Sequence, residues 1–212
     1  MDIIDPALQR YAELHTTSET ELLRKINRDT HAHILKARML SGQLQGRVLS
    51  MISCMLKPRV ILEIGTYTGY SAICLAEGLQ EGGKLITIDV NEELEDRVRK
   101  YFSDAKLSDK IDYRIGLASK VIPQLEERFD LVFIDADKEN YSHYFDLVID
   151  RVNLNGIILA DNVLWSGKVL NEKPDKDTRA ILDFNAKVQT DDRVENVLLP
   201  IRDGIMMMRK IR

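Results

Sequence analysis

The sequence predicts an α/β fold: a doubly wound, mostly parallel sheet of seven strands with an antiparallel C-terminal hairpin and a helical N-terminal extension. Three observations predict it. From residue 59 onward, short apolar runs alternate with amphipathic helical stretches, the pattern of repeated β-α units. Nearly every apolar run ends in a glycine or a polar residue. The last two runs are joined by only "IRD", a hairpin-sized connection.

The elements follow in order. Residues 1–57 read as a helical extension packed on the same domain. In "TTSETELLRKINRDT", Ser18 and Glu21 have the spacing of a capping box, and Leu22, Leu23 and Ile26 follow at helical intervals. "GRVLSMISCMLK" places Val48, Leu49, Ile52, Met55 and Leu56 on one helical stripe, and Pro58 closes the region. The unit from 58 to 212 opens with strand 59–65, then helix 70–79, strand 84–89, helix 92–105 and strand 110–116. Helix 119–127, strand 129–135, helix 141–152 and strand 156–161 come next. After a polar loop, helix 177–189 leads to the paired strands 194–200 and 204–211. The sheet is thus Rossmann-like.

Composition narrows the function classes. The chain has 212 residues, 44% hydrophobic and 30% charged, which suits one domain with a full core. No apolar stretch approaches the roughly 18 residues of a membrane helix, so no membrane partner is expected. The start, "MDIIDPALQRYAELH", does not read as a signal peptide. With 30 basic against 34 acidic residues the net charge is −4, giving no global attraction to nucleic acid. Cys54 and Cys74 fit no zinc spacing and read as free thiols, so a cytoplasmic protein is expected. His15, His31, His33 and His143 are read as non-ligands.

The strand ends carry the chemistry. In an open parallel sheet, ligands bind outside the carboxyl edge. Glu63, Gly65 and Thr66 end the first strand, Asp89 the second, and Gly116 and Ala118 follow the third. Asp135 ends the fourth; Asp161 and Asn162 end the fifth. A single acid after a strand commonly caps the next helix, but carboxylates gathered on one rim repel, and a cation would relieve that. "EIGTYTGYS" (63–71) is a strand-turn-helix with room for a ligand beside Gly65, though it is neither G-x-G-x-x-G nor a phosphate loop. Asp89 stands where a carboxylate accepts both ribose hydroxyls. The oxygen donors of Asp135, Asp161 and Asn162 suit Mg²⁺, Mn²⁺ or Ca²⁺ better than zinc.

The stretches "MLSGQLQG", "ILEIGTYTGYSAICLAEGL", "ITIDVN", "VFIDADKENY", "ILADNVLWSGKV" and "LPIRDGI" resemble the cation-dependent class I S-adenosylmethionine O-methyltransferases. That family includes the catechol and caffeoyl-coenzyme A O-methyltransferases, and the likeness is to its short bacterial members. It runs from about Met39 to the C-terminus, and would make 58–212 the methyltransferase domain. The resemblance implies that Ser41, Glu63, Gly65, Thr66 and Ser71 line the methionine and ribose part of S-adenosylmethionine, with Asp89 on the ribose and Ala118 by the adenine. Asp137 and Tyr144 would close around the amino-acid end of that cofactor. Asp135, Asp161 and Asn162 would bind the divalent cation, Mg²⁺ first among candidates, and Lys138 would sit beside the substrate hydroxyl as base or electrostatic stabiliser, making Lys138 and Asp135 the catalytic pair. A homodimer is implied as well.

The acceptor stays open at this point. Ser166 stands where plant members carry an asparagine that helps bind substrate, and residues 1–38 do not match the segment those members use for coenzyme A esters. Trp165 reads equally as a pocket wall or a packing anchor. A catechol-type or related hydroxylated aromatic molecule is the first reading, and a hydroxylated uridine in tRNA is the alternative, with "KARML", "GRVLS" and Lys57/Arg59 as its basic strip. A nicotinamide dehydrogenase would need a pyrophosphate glycine loop, which "GTYTGY" is not. A non-catalytic S-adenosylmethionine-binding protein would have no use for Lys138 and the three metal ligands together.

Overall fold

The computed structural model describes residues 4–212. Helix α1 spans Pro6–Leu14, with Asp5 accepting hydrogen bonds from the Ala7 and Leu8 N–H groups and Pro6 at a position that needs no donor. Helix α2 spans Glu21–His33. Its cap is Thr20, whose hydroxyl accepts from the Leu23 N–H at 3.3 Å, and not the expected Ser18. The backbone turns extended at Thr20, so the orphan N–H three residues on faces that hydroxyl instead. Helix α3 spans Gly42–Leu56 and ends on Lys57 in the left-handed conformation, just before Pro58. Leu49 and Ile52 face inward as expected, but Met55 is 74% exposed. The buried stripe of α3 runs through Gln45, Leu49, Ile52 and Ser53, and Met55 shares the opposite ridge with Met51, one turn away.

Seven strands form one sheet: β1 Val60–Ile64, β2 Lys84–Asp89, β3 Ile111–Ile115, β4 Phe129–Ile134, β5 Val152–Asp161, β6 Val194–Leu199 and β7 Ile205–Lys210. The order is β3-β2-β1-β4-β5-β7-β6. The first five strands pair in parallel, and β7 runs antiparallel to both β5 and β6. The tail hairpin therefore does not simply extend the edge: its second strand inserts between β5 and its first. Lys210, at the end of β7, is buried and donates to the Ile149 and Val152 carbonyls at 2.8 and 3.0 Å.

Helices α4 (Tyr70–Ala76), α5 (Glu95–Asp104), α6 (Ala118–Val121), α7 (Tyr141–Ile149) and α8 (Lys176–Thr190) connect the strands. Two apolar clusters sit on opposite faces of the sheet. Leu62, Ile64, Val132 and Ile134 pack with Tyr141, Phe145, Ile181 and Phe184 of α7 and α8. Ile61, Leu131 and Phe133 pack with Leu23 and Ile26 of α2, Leu49 of α3, and Val98 and Phe102 of α5. Alternate strand residues divide between the faces because successive Cβ atoms point to opposite sides. The α2 and α3 side chains thus complete one of the two core layers. Helix α6 is shorter than the 119–127 expected: Pro123 cannot donate a helical bond, and a 3₁₀ turn over Ile122–Gln124 ends the element. Strand β5 starts four residues earlier than expected, with a register shift between its Val152 and Ile157 pairings. No described helix is long and apolar enough to cross a membrane.

The tightest constraint on the sheet lies where β1 leaves it. Gly65 has φ +101°, and a Cβ there would stand 1.9 Å from the Asp135 carbonyl oxygen. Gly65→Ala is expected to cost on the order of 3 kcal/mol or more in urea unfolding, a backbone clash added to strain. Gly82→Ala, at φ +70° but facing open space, supplies the contrast: the strain alone, about 1 kcal/mol.

Candidate active site

Glu63, Gly65, Thr66, Asp89, Ala118, Asp135, Asp137, Lys138, Asp161 and Asn162 lie at or just beyond the carboxyl ends of β1 to β5; Ser71 and Tyr144 lie within α4 and α7, and Ser41 precedes α3. A narrow cleft is lined by Ser41, Gly65, Thr66, Tyr67, Ser71 and Asp135, among others. A larger cavity of about 450 Å³ opens at the other edge of the sheet, between Lys57, Arg59, Arg128 and Asp130. None of the residues expected to hold cofactor or cation borders it; Lys57 and Arg59, expected in the basic strip of the tRNA alternative, do.

Glu63 ends β1 fully buried, on the α2–α5 side. Its register partner Thr87 donates to Oε2 at 2.5 Å, and Thr66 in turn shares a 2.6 Å hydroxyl contact with Thr87. The Thr66 hydroxyl is thereby engaged inside the protein. Oε1 of Glu63 has no partner. Burial pushes the Glu63 carboxyl up to about 8; the nearby Ser71 and Thr87 hydroxyls pull it back, and Asp135 and Asp89 add to the rise. Glu63 is thus a buried carboxyl two residues before the cleft-lining Gly65, with one oxygen left unpartnered.

Asp89 holds the loop after β1. Its Oδ2 accepts from the Tyr67 N–H at 2.7 Å and Oδ1 from the Asn91 N–H at 2.9 Å. It does not cap the following helical turn; Asn91 does that, accepting from the Glu93 N–H. Ala118 is buried at the start of α6. The Tyr144 hydroxyl donates to Asp137 Oδ1 at 2.6 Å, while Asn140 serves Oδ2.

The second group gathers at β4 and β5. Lys138 donates to Asp135 Oδ1 at 3.2 Å and to the Tyr141 hydroxyl at 2.5 Å, and its side chain is only 9% exposed. Tyr141, fully buried, lies within reach of the Ile134 and Asp161 carbonyls at 3.3 and 3.1 Å. The Trp165 ring centroid is 5.8 Å from the Lys138 ammonium, so Trp165 borders the site. Asp161 is buried; Gln45 Nε2 donates to its Oδ2 at 2.8 Å and the Asn162 N–H to its Oδ1 at 2.8 Å. Burial and the neighbouring Asp135 push the Asp161 carboxyl up to about 6, against the pull of Gln45, Lys138 and Arg202. Asp203, half-buried, accepts from the Ser166 N–H, and the Asn162 amide helps hold its carboxyl down against a rise driven by burial.

Among the described residues, no group of three or more His, Cys, Asp or Glu side chains gathers in a metal-holding arrangement. The candidate set here is different, two carboxylates and an amide. Asp135 and Asp161 lie close enough for one charge to disfavour the other, and Lys138, Gln45 and the Asn162 N–H each use one lone pair of an oxygen that has two. That donor set, hard and mutually repelling, fits a divalent cation.

Four participants escaped the sequence reading: Gln45, Tyr141, Arg202 and Asp203. Each lay inside a quoted motif, in "SGQLQG", "VFIDADKENY" and "LPIRDGI". What was missing was the knowledge that the β6–β7 turn and the start of α3 meet at Asp161.

The chain matches the family model described as O-methyltransferase over residues 13–211. Caffeoyl-CoA O-methyltransferase of Eucalyptus gunnii is 33% identical over 207 residues, 92% of this chain and 82% of its own. Tricin synthase 2 of Oryza sativa subsp. japonica is 34% identical, over 91% of this chain and 70% of its own. The crystal structure of an O-methyltransferase from Bacillus cereus in complex with SAH has a TM-score of 0.88 and 31% identity, covering 96% of this chain and 97% of that one. An SAH-bound methyltransferase of Podospora anserina has a TM-score of 0.90 and 28% identity, covering 97% and 94%. The family match begins at residue 13 and so takes in α2, which lies before the resemblance that starts at about Met39. The core positions of Leu23 and Ile26 give the physical reason for α2 to belong with the rest.

The raised Glu63 carboxyl makes a stability prediction. A group at about 8 in the folded chain against 4.5 as its ordinary value is protonated more in the folded than in the unfolded state across that window. Stability without ligand should therefore fall as pH rises from about 5 to 8, by at most about 1.4 kcal/mol per pH unit for this group. Glu63→Gln should flatten the decline above pH 6, leaving the Asp161 share, whose carboxyl sits at about 6, below it. Urea unfolding of both proteins at stepped pH measures this; parallel curves would count against the assignment.

Proposed function

The chain belongs to the O-methyltransferase family, and from that membership we propose that it transfers a methyl group from S-adenosylmethionine to a hydroxyl oxygen of a catechol-type aromatic acceptor, with a divalent cation bound beside the transfer site. That it is an S-adenosylmethionine-dependent O-methyltransferase follows from the family itself. The acceptor class, the cation and the residue roles are the proposal. The observation that carries it is the meeting of Asp135, Asp161 and Lys138 on one rim, next to the Ser41–Gly65–Ser71 cleft.

The roles divide as follows. S-adenosylmethionine supplies a methyl group made electrophilic by its sulfonium. Ser41, Gly65, Thr66 and Ser71 line its methionine and ribose end, with Thr66 acting through its backbone because its hydroxyl is tied to Thr87. Glu63 faces the cationic centre with its unpartnered oxygen. Asp89 takes the ribose hydroxyls with the lone pairs that the Tyr67 and Asn91 N–H groups leave free, and Ala118 borders the adenine. Asp137, steadied by Tyr144, receives the amino-acid ammonium.

Asp135, Asp161 and Asn162 hold the cation. When bound, it lowers the pKa of a phenol, ordinarily about 10, toward neutrality. Lys138 keeps two of its donors on Asp135 and Tyr141, which leaves a third N–H for the acceptor oxygen. In that ion-paired state it acts as an ammonium that, with the cation, would hold the acceptor as its phenolate, whose proton passes to solvent before the oxygen displaces the sulfonium and takes the methyl group. Trp165 forms the wall over Lys138 and gives a flat aromatic acceptor a surface to lie against. Residues 1–57 act as a helical extension on the methyltransferase unit 58–212. The exposed Leu8, Tyr11, Leu14, Met51 and Met55 of α1 and α3 support a homodimer through these helices.

The test is a methyl-transfer screen with catechol, caffeoyl-CoA and bulk tRNA, each with Mg²⁺ or EDTA. A monomethyl ether of a small diphenol, lost in EDTA and restored by Mg²⁺, is the expected result. Transfer to tRNA alone would move the acceptor to the hydroxylated-uridine reading, and turnover untouched by EDTA would remove the cation. Lys138→Ala should lower kcat by about 10²–10³ with cofactor affinity unchanged, the usual loss of one oxyanion donor. Asp161→Ala should lose nearly all turnover.

A further inference from the structure

The β6–β7 turn reaches across the rim to the start of α3. Arg202, on that turn, has φ +50°, and its Nη1 donates to the Leu40 carbonyl at 3.0 Å, to the Ser41 carbonyl, and to Gln45 Oε1 at 2.9 Å. Gln45 is fully buried, and its Nε2 donates to Asp161 Oδ2 at 2.8 Å. A guanidinium carries only donors, so the amide atom that faces it must be the oxygen. That choice turns the amide nitrogen toward Asp161. Reversing the amide would aim its NH₂ at a guanidinium and its oxygen at a carboxylate, two unfavourable contacts in a buried place. The opposite oxygen of Asp161 is held by the Asn162 N–H, so the carboxylate is gripped from both sides and one lone pair on each oxygen is left.

We propose that Arg202 and Gln45 are positioning residues: Arg202 sets the direction of the Gln45 amide, and that amide aims Asp161 at the divalent cation. Neither touches the reacting atoms, and the proposal rests on the cation reading given above. The geometry separates this role from simple packing, because Gln45 offers one specific N–H to one specific oxygen. Donors that orient a metal-binding side chain commonly govern affinity by 10–100-fold.

The experiment titrates Mn²⁺ into the full chain and counts free ion by electron paramagnetic resonance, with no turnover involved. SAH binding is measured in parallel by calorimetry. Wild type should take up one Mn²⁺, and Asp161→Asn should abolish that uptake. Gln45→Met, close in size and without a donor, should weaken Mn²⁺ by about tenfold or more while SAH affinity stays within about twofold; general loosening of the site would lower both. Arg202→Met should weaken Mn²⁺ as well, and the Gln45→Met/Arg202→Met double variant should be no weaker than Gln45→Met alone, since both act through one amide. Gln45→Met at wild-type Mn²⁺ affinity overturns the proposal on its own, even if Arg202→Met does not fold. Additive losses in the double variant overturn the relay. Wild type that binds no Mn²⁺ overturns the cation reading itself and this inference with it.

Discussion

Four carboxylates, Glu63, Asp89, Asp135 and Asp161, end neighbouring strands of a sheet that pairs in parallel, and so arrive at the same edge. Charges of one sign brought together out of water are costly, and much of the rim is organised by that cost. Each acid meets it with different donors. Glu63 takes the Thr87 hydroxyl and keeps its proton to a high pH. Asp89 takes two backbone N–H groups, Asp135 takes Lys138, and Asp161 takes Gln45 and the Asn162 N–H. The environments are graded from buried carboxyl to ion pair along one edge.

The same accounting explains why the turn after β1 must be glycine. A side chain at Gly65 would strike the Asp135 carbonyl, so the two halves of the rim approach as closely as backbones allow. The absence of a Cβ at Gly65 is what permits this approach of the β1 and β4 ends. The close approach also brings the Asp135 charge to bear on Glu63, so the two ends of the site are electrostatically linked as well as adjacent.

Much of this was legible in the sequence. The strand bounds of β2, Lys84–Asp89, can be read directly, because the run "KLITID" is apolar, β-rich and bounded by Gly83 and a carboxylate. Other features were hidden for identifiable reasons. Ser18 had capping-box spacing, but backbone direction at Thr20 decides which hydroxyl meets the orphan donors. Met55 fell on a plausible stripe until the packing of Gln45 and Leu49 fixed which side of α3 is inward. The insertion of β7 beside β5 is a contact between strands far apart in the chain, which a local pattern does not report. Gln45 and Arg202 stand 157 residues apart, and no spacing rule links an amide in one motif to a guanidinium in another.

The strand order carries a consequence for how the molecule is made. Strand β7 follows all its sheet neighbours in the chain yet fills the place next to β5. During synthesis from the ribosome, β5 emerges with an unpaired edge, and β6 cannot take its final seat until β7 has been supplied. Arg202 arrives in the same late segment. The rim therefore cannot be completed while the chain is still short of Lys210, and a nascent fragment would present Asp161 without its full support. Supply of β7 and completion of this edge of the sheet become one event.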